Sequence, residues 1–175
     1  MSARTPPGPQ RPAHEAAMEA LAVSAADNIP GVDFVSITVH RKNRPMHTVA
    51  ATDPVAEQAD RMQYELHEGP CYAAVTHKRF VLVNDLATAV EFPRYAPKAV
   101  ALGVRAQAGI QLLHDGERAG LNLYALTAGA FDQSTVQIAE PFATQAGALL
   151  GYAEQSNSSA RRCTPAPTSA PRSAS

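Results

Sequence analysis

The chain has 175 residues, 18% of them charged and 45% apolar, with a formal net charge of −1, which suits one globular domain and leaves little room for two. No run approaches the roughly 20 apolar residues of a membrane helix, and the opening MSARTPPGPQRP lacks the apolar centre of a secretory signal, so no membrane partner and a cytoplasmic location are expected. Residues 13–153 hold 10 of the 15 basic and 15 of the 16 acidic groups; a body of that balance lacks the clustered basic face that direct nucleic-acid binding requires.

The first 12 residues contain Pro6, Pro7, Pro9 and Pro12, and residues 154–175 contain no Leu, Ile, Val or Phe; both ends read as disordered tails around a domain at 13–153. Cys71 and Cys163 are too few for a disulfide framework and are expected to be free thiols. Met18, Leu21, Ala22, Ala25 and Ile29 recur at helical spacing, which predicts an amphipathic helix over 13–28 that Pro30 and Gly31 end. DFVSITVHR alternates Val35, Ile37 and Val39 with Ser36, Thr38 and His40, a strand; a turn at 43–45 leads into a second strand, HTVAA.

Thr52 or Asp53 caps a helix through VAEQADRMQYEL, with Pro54 in its first turn, and Gly69 and Pro70 open a short helix, CYAAVTHK. RFVLVNDL reads as a third strand and EFPRYAPKAVALG as a short helix broken by Pro97. Segments 104–113 and 119–126 form a hairpin closed by Asp115-Gly116. Asp132 caps a final helix over 133–153, with a possible kink at Pro141. This order predicts an α+β architecture: an antiparallel sheet with the terminal helices on one face and the inserted segments roofing the other, with a pocket beneath that roof.

Along 104–113, Ala106, Ala108, Ile110 and Leu112 share one face while Gln107, Gly109 and Gln111 share the other; Gly120, Asn122 and Tyr124 alternate likewise with Leu121 and Leu123. If the polar faces coincide, Gln107, Gln111 and Asn122 line the pocket and orient a ligand; otherwise they form a solvated or helix-facing surface. Tyr64, Tyr72, Tyr95 and Tyr124 stack on a planar ligand or serve as core with a wet hydroxyl end. Arg94 binds an anionic group or ties its loop to Asp85 or Glu91. Cys71, in the first turn of a helix, has its pKa lowered by the helix dipole and acts as a redox or ligand-contacting thiol, or packs as a small apolar residue. As a nucleophile it would need His67 or His77 as base. Asp53, Asp60, Glu65 and Glu68 read as solvated charges, no histidine pair has metal-ligand spacing, and no cofactor is indicated.

QYELHEGPCYAAV, VNDL, EFPRY, ALGVR, HDGERAGLNLY and GAFD, in this order, resemble the GAF domains of actinobacterial regulators that carry a C-terminal ANTAR RNA-binding domain. The resemblance covers residues 13–153 and implies an antiparallel sheet of five or six strands between two helical layers, commonly dimeric through its terminal helices. It further implies a non-enzymatic sensor of a small molecule or oxidant acting in signal transduction or transcriptional regulation. Where that family usually has an acidic residue and a tryptophan, this chain has Ala73 and Phe92. The 22 residues after Ala153 are too few for an ANTAR domain, so output is expected through a separate regulatory partner or through the tails. The cyclic-nucleotide NKxnFxxxDE pattern is absent, Tyr72 follows Cys71 where bilin-attaching domains have histidine, and 13–153 holds one cysteine where sulfoxide-reducing GAF enzymes hold several.

Overall fold

The computed structural model describes residues 13–114 and 117–162, with side chains for 13–112 and 118–152. Five strands form one antiparallel sheet in the order β2-β1-β5-β4-β3, where β1 is Phe34–His40, β2 His47–Ala51, β3 Phe80–Val83, β4 Ala106–His114 and β5 Glu117–Ala125. Five strands, not six, complete the sheet among the described residues. Helices α1 (Ala13–Asn28) and α5 (Gln133–Arg162) cover one face; α2 (Pro54–Leu66) and α3 (Pro70–Thr76) cover the other, with α4 (Ala96–Ala101) beside them. No helix among the described residues is long and apolar enough to cross a membrane.

Local chemistry explains the boundaries. The Asp53 carboxylate accepts from Val55 N–H at 2.8 Å, capping α2 ahead of Pro54. The Asp132 carboxylate accepts from the N–H groups of Ser134 and Thr135 and caps α5 in the same way. Pro97 lies in the first turn of α4 and does not break it, because a first-turn proline lacks only an N–H that has no helical partner. The helix over 133–153 continues to Arg162, so the absence of Leu, Ile, Val and Phe after Ala153 does not end it. The hairpin pairs His114 with Glu117, while its Asp115-Gly116 turn, the N-terminal tail and Cys163 lie outside the described residues.

Pleating divides the sheet into two unlike faces. Val35, Ile37 and Val39 of β1, Ala106, Ala108, Ile110 and Leu112 of β4, and Leu121 and Leu123 of β5 join Met18, Leu21, Ala22 and Ala25 of α1 and Ala139, Ala143 and Ala146 of α5 in one apolar core. The opposite face carries Ser36 and Thr38 of β1, Gln107 and Gly109 of β4, and Gly120, Asn122 and Tyr124 of β5. Register makes these polar positions neighbours: Asn122 pairs with Ser36 on one side and Gly109 on the other, and Tyr124 pairs with Gln107.

Candidate functional site: a buried polar interlayer

The residues of α2 and α3 meet this polar face. The glycines allow the approach: a Cβ on Gly109 would stand 2.8 Å from the Pro70 carbonyl oxygen, and one on Gly120 would stand 2.7 Å from Val75 Cγ2. α2 turns Ala56, Ala59, Asp60 and Gln63 inward, a helical spacing that brings one carboxyl and one amide onto the sheet. His67 at φ 52° and Gly69 at φ 130° then turn the chain into α3. Gln63 Oε1 accepts from Cys71 N–H at 2.9 Å, which fixes the start of α3 on the side of α2.

Two chains of hydrogen bonds cross the interlayer and both end on Asp60. Each hydroxyl has one proton to give. Thr48 gives its proton to Asp60 Oδ2 at 2.8 Å; its oxygen therefore accepts from the Tyr64 hydroxyl at 2.9 Å, whose oxygen in turn accepts from Thr38 at 2.6 Å. Asn122 Nδ2 donates to Thr38 at 2.9 Å, to Ser36 at 3.0 Å and to Asp60 Oδ1 at 3.3 Å. In the second chain the Tyr95 hydroxyl donates to Gln107 Oε1 at 2.7 Å, Gln107 Nε2 to Gln63 Oε1 at 3.2 Å, and Gln63 Nε2 to the Tyr124 oxygen at 3.4 Å. The Tyr124 hydroxyl then donates to Asp60 Oδ1.

Burial governs the electrostatics. Desolvation pushes the Asp60 carboxyl up to about 6, against the pull of the surrounding hydroxyl groups of Tyr124, Ser36, Thr48 and Tyr64. No arginine or lysine among the described residues is hydrogen-bonded to it. Desolvation and then the Asp60 charge push the Tyr64, Tyr95 and Tyr124 phenols above their ordinary range. Cys71 is wholly buried, and the same two causes raise its thiol well above the ordinary range. That corrects the expectation of an acidified thiol: dehydration of the thiolate outweighs the end of a seven-residue helix. Since the proton of Thr38 goes to Tyr64, the Cys71 thiol is the donor in its 3.5 Å contact with Thr38 Oγ1. His67 and His77, the expected bases, are both exposed.

Of the residues singled out in the sequence, Tyr64, Cys71, Tyr95, Gln107, Asn122 and Tyr124 come together here. Gln111 lies one β4 face position farther on and donates to the Val75 carbonyl at 3.0 Å. Tyr72 stands apart, with its ring edge-on to His67 at 5.5 Å. Arg94 pairs with neither Asp85 nor Glu91: Nε donates to Glu68 Oε2 at 2.9 Å and Nη2 to the Leu66 carbonyl at 2.6 Å. Asp85 takes Arg105 instead, at 3.2 Å. Glu68 also accepts from the N–H groups of Arg94 and Tyr95; its burial opposes ionisation, but these bonds and the Arg94 charge hold its carboxyl below the usual range.

Asp60 and Gln63 are the residues the sequence reading missed. Their signal was present in the spacing 56, 59, 60, 63, which places both on the stripe marked by two alanines. The hollow expected beneath the roof is filled, because Asp60, Gln63, Gln107, Asn122 and Tyr124 are all fully buried and bonded to one another. One atom is left over: Asn122 Oδ1 is buried without a hydrogen-bond partner. Cys71 is close enough to Asn122 to feel it, yet no donor reaches this oxygen in bonding geometry. Cavities of about 580 Å³, between α5 and β4, and about 370 Å³, beside α1 and β2, open elsewhere. Among the described residues no group of three or more His, Cys, Asp or Glu is placed to hold a metal ion.

The GAF domain family model matches residues 13–150. Among solved structures, the chain is similar to a domain of a putative two-component sensor histidine kinase from Sinorhizobium meliloti, at 23% identity over 86% of this chain and 98% of that one, with a TM-score of 0.62. It is similar to the GAF domain of a phosphoenolpyruvate-protein phosphotransferase from Coxiella burnetii, at 15% identity over 85% and 88%, TM-score 0.66. It is also similar to free methionine-R-sulfoxide reductase from Neisseria meningitidis, solved with its substrate, at 13% identity over 82% and 81%, TM-score 0.62. No curated protein matches. With a sheet in the order β2-β1-β5-β4-β3 between two helical layers and a family model spanning most of its length, the chain belongs to the GAF domain family.

Proposed function

We propose that this chain is a non-enzymatic GAF sensory module that takes up a small molecule between the sheet and α2–α3 and transmits the change through α1 and α5. The observation that carries this reading is the difference between the two sheet faces. The face toward α1 and α5 is apolar, as a covered face needs to be. The face toward α2 holds Ser36, Thr38, Gln107 and Asn122 and meets Asp60 and Gln63 of α2, all buried, although burying polar groups lowers stability relative to apolar packing unless every bond is made. Polar contacts of this kind exchange readily for those of a polar ligand, and an apolar interlayer would have nothing to exchange. Gln107, Gln111, Asn122, Tyr64, Cys71, Tyr72, Arg94, Tyr95 and Tyr124 remain the proposed ligand-responsive set, now with Asp60 and Gln63 at its centre.

Several GAF neighbours are methionine-R-sulfoxide reductases, which makes thiol chemistry the competing reading. It has little support here: Cys71 is fully buried, its thiol is pushed up, and neither nearby histidine shares its setting. Transmission through a homodimer of terminal helices is supported by their alanine-rich packing and by Val23 on α1 and Ile138 on α5, both exposed. A role in cytoplasmic signalling or transcriptional regulation through a separate partner rests on the resemblance of the EGPC, FPRY and LNLY segments alone.

The test is ligand-observed NMR of a metabolite library with wild-type protein and with Asn122→Leu, its fold checked by circular dichroism. A binder lost in the variant is the expected result. No binder at all, or binding indifferent to position 122, overturns the reading. Sedimentation with and without that binder tests the dimer, and a monomer in every state removes it.

A further inference from the structure

We propose that Asp60 and the free oxygen of Asn122 together recognise a small organic cation, an ammonium or amidinium, admitted when Tyr64 swings away from Thr38 and Thr48. This rests on the sensory reading above and adds the charge class of the ligand. The two open valences of the interlayer are both acceptors. Every donor chain in it runs toward Asp60 and stops there, and Asn122 Oδ1 has no donor at all. Moving Tyr64 frees a single donor, the Thr38 hydroxyl, against three acceptors, the Thr48 oxygen, Asn122 Oδ1 and Asp60, so the place favours a ligand rich in N–H groups; Asn122 and Asp60 stand near enough to share one, since Asn122 Nδ2 lies 3.3 Å from the carboxylate.

Charge, and not only hydrogen bonding, is what the site lacks. Asp60 already accepts from a threonine, a tyrosine and an amide, yet its carboxyl is pushed up to about 6 by burial. Neutral donors thus do not compensate the dehydrated anion, and above neutral pH an uncompensated carboxylate stands inside the domain. The side chains facing it are Ser36 and Thr38 of β1, Thr48 of β2, Asn122 and Tyr124 of β5, Tyr64 of α2 and Cys71 of α3, none of them cationic. A cation supplies what none of these can. Tyr64 is the way in: it is half-buried while Thr38, Asp60, Asn122 and Tyr124 behind it are fully buried, and its rotation breaks only its own two hydroxyl contacts.

The experiment titrates the full chain at pH 7.5 and constant ionic strength with acetamidinium chloride, acetamide and sodium acetate, three probes of one shape and three charges, and follows the melting temperature. Acetamidinium at tenfold excess over its dissociation constant is expected to raise Tm by about 4 °C, with acetamide and acetate inert. Asp60→Asn, isosteric but uncharged, is expected to lose the response; if that variant does not fold, Asn122→Ala reads the same contact. Equal stabilisation by acetamide, a response retained in both variants, or no response to acetamidinium overturns the proposal. A neutral or anionic metabolite that binds in the Asn122-dependent assay overturns the cation while leaving the sensory reading intact, whereas absence of any binder there removes both.

Discussion

Tyr95, at the start of α4, and Asp60, in the middle of α2, are the two ends of one line of hydrogen bonds that runs through Gln107, Gln63 and Tyr124. The line ties the FPRY segment to the far side of the interlayer by way of two sheet strands. Because each member has its donor pointed toward Asp60, protonation of that one carboxyl adds a donor where every partner already donates, and one neighbour has to turn to accept it.

The first expectation concerns pH. The Asp60 pKa is raised in the folded state, from 3.8 to about 6, so the native protein holds this proton more tightly than the unfolded chain. Its contribution is fully present below the unfolded value and is lost as pH rises through about 6. The full span amounts to about 3 kcal/mol at most. Asp60→Asn is therefore expected to gain on wild type between about pH 3.5 and pH 7 in urea unfolding, with no further gain above that. Parallel stability curves would show that the carboxyl is not dehydrated.

Glu68 is expected to behave in the opposite sense. Its carboxylate clasps the N–H groups of Arg94 and Tyr95 and the Arg94 guanidinium, and its pKa is lowered. That stabilisation is present above the unfolded carboxylate range and fades as pH falls through the folded value. Glu68→Ala leaves two N–H groups without their acceptor and is expected to cost about 2 kcal/mol at pH 7, with the difference from wild type shrinking toward pH 3. A neutral effect at pH 7 would mean that water replaces the clasp without loss.

Gly109→Ala and Gly120→Ala separate backbone contact from side-chain contact under α3. The new Cβ at 109 meets the Pro70 carbonyl, which cannot move without lifting the helix; the one at 120 meets a Val75 methyl that can rotate. Chemical denaturation is expected to give a loss of about 2 to 3 kcal/mol for the first and about half of that for the second. The reverse order would contradict the close seat of α3 on β4.

Thiol reactivity gives a fourth check. With Cys163 replaced by serine, Cys71 in native protein at pH 8 is expected to react with an aromatic disulfide about a hundredfold more slowly than a model thiol, since reaction awaits local opening. Rapid modification would restore Cys71 as a redox centre.

The alternation of β1, β4 and β5 and the apolar periodicity of α1 were legible in the residues themselves, and so were the caps at Asp53 and Asp132. Each depends on neighbours a few positions away. The coincidence of the polar faces was conditional on register, and the pairing of Asn122 with Ser36 and Gly109 resolves it. Arg94 shows the limit of local inference: carboxylates at 85 and 91 were close in sequence, but the turn between α2 and α3 brings Glu68 across 26 residues.

What sequence alone determined, then, is which faces of α1, β1, β4 and β5 are oily and where α2 and α5 are capped. Tertiary structure alone decided that Asp60 is buried, that Cys71 is shielded and that the space under α2 is occupied. Those outcomes turn on how closely a helix approaches a sheet built from strands distant along the chain. Two glycines set that approach, and no pattern within α2 or α3 records it.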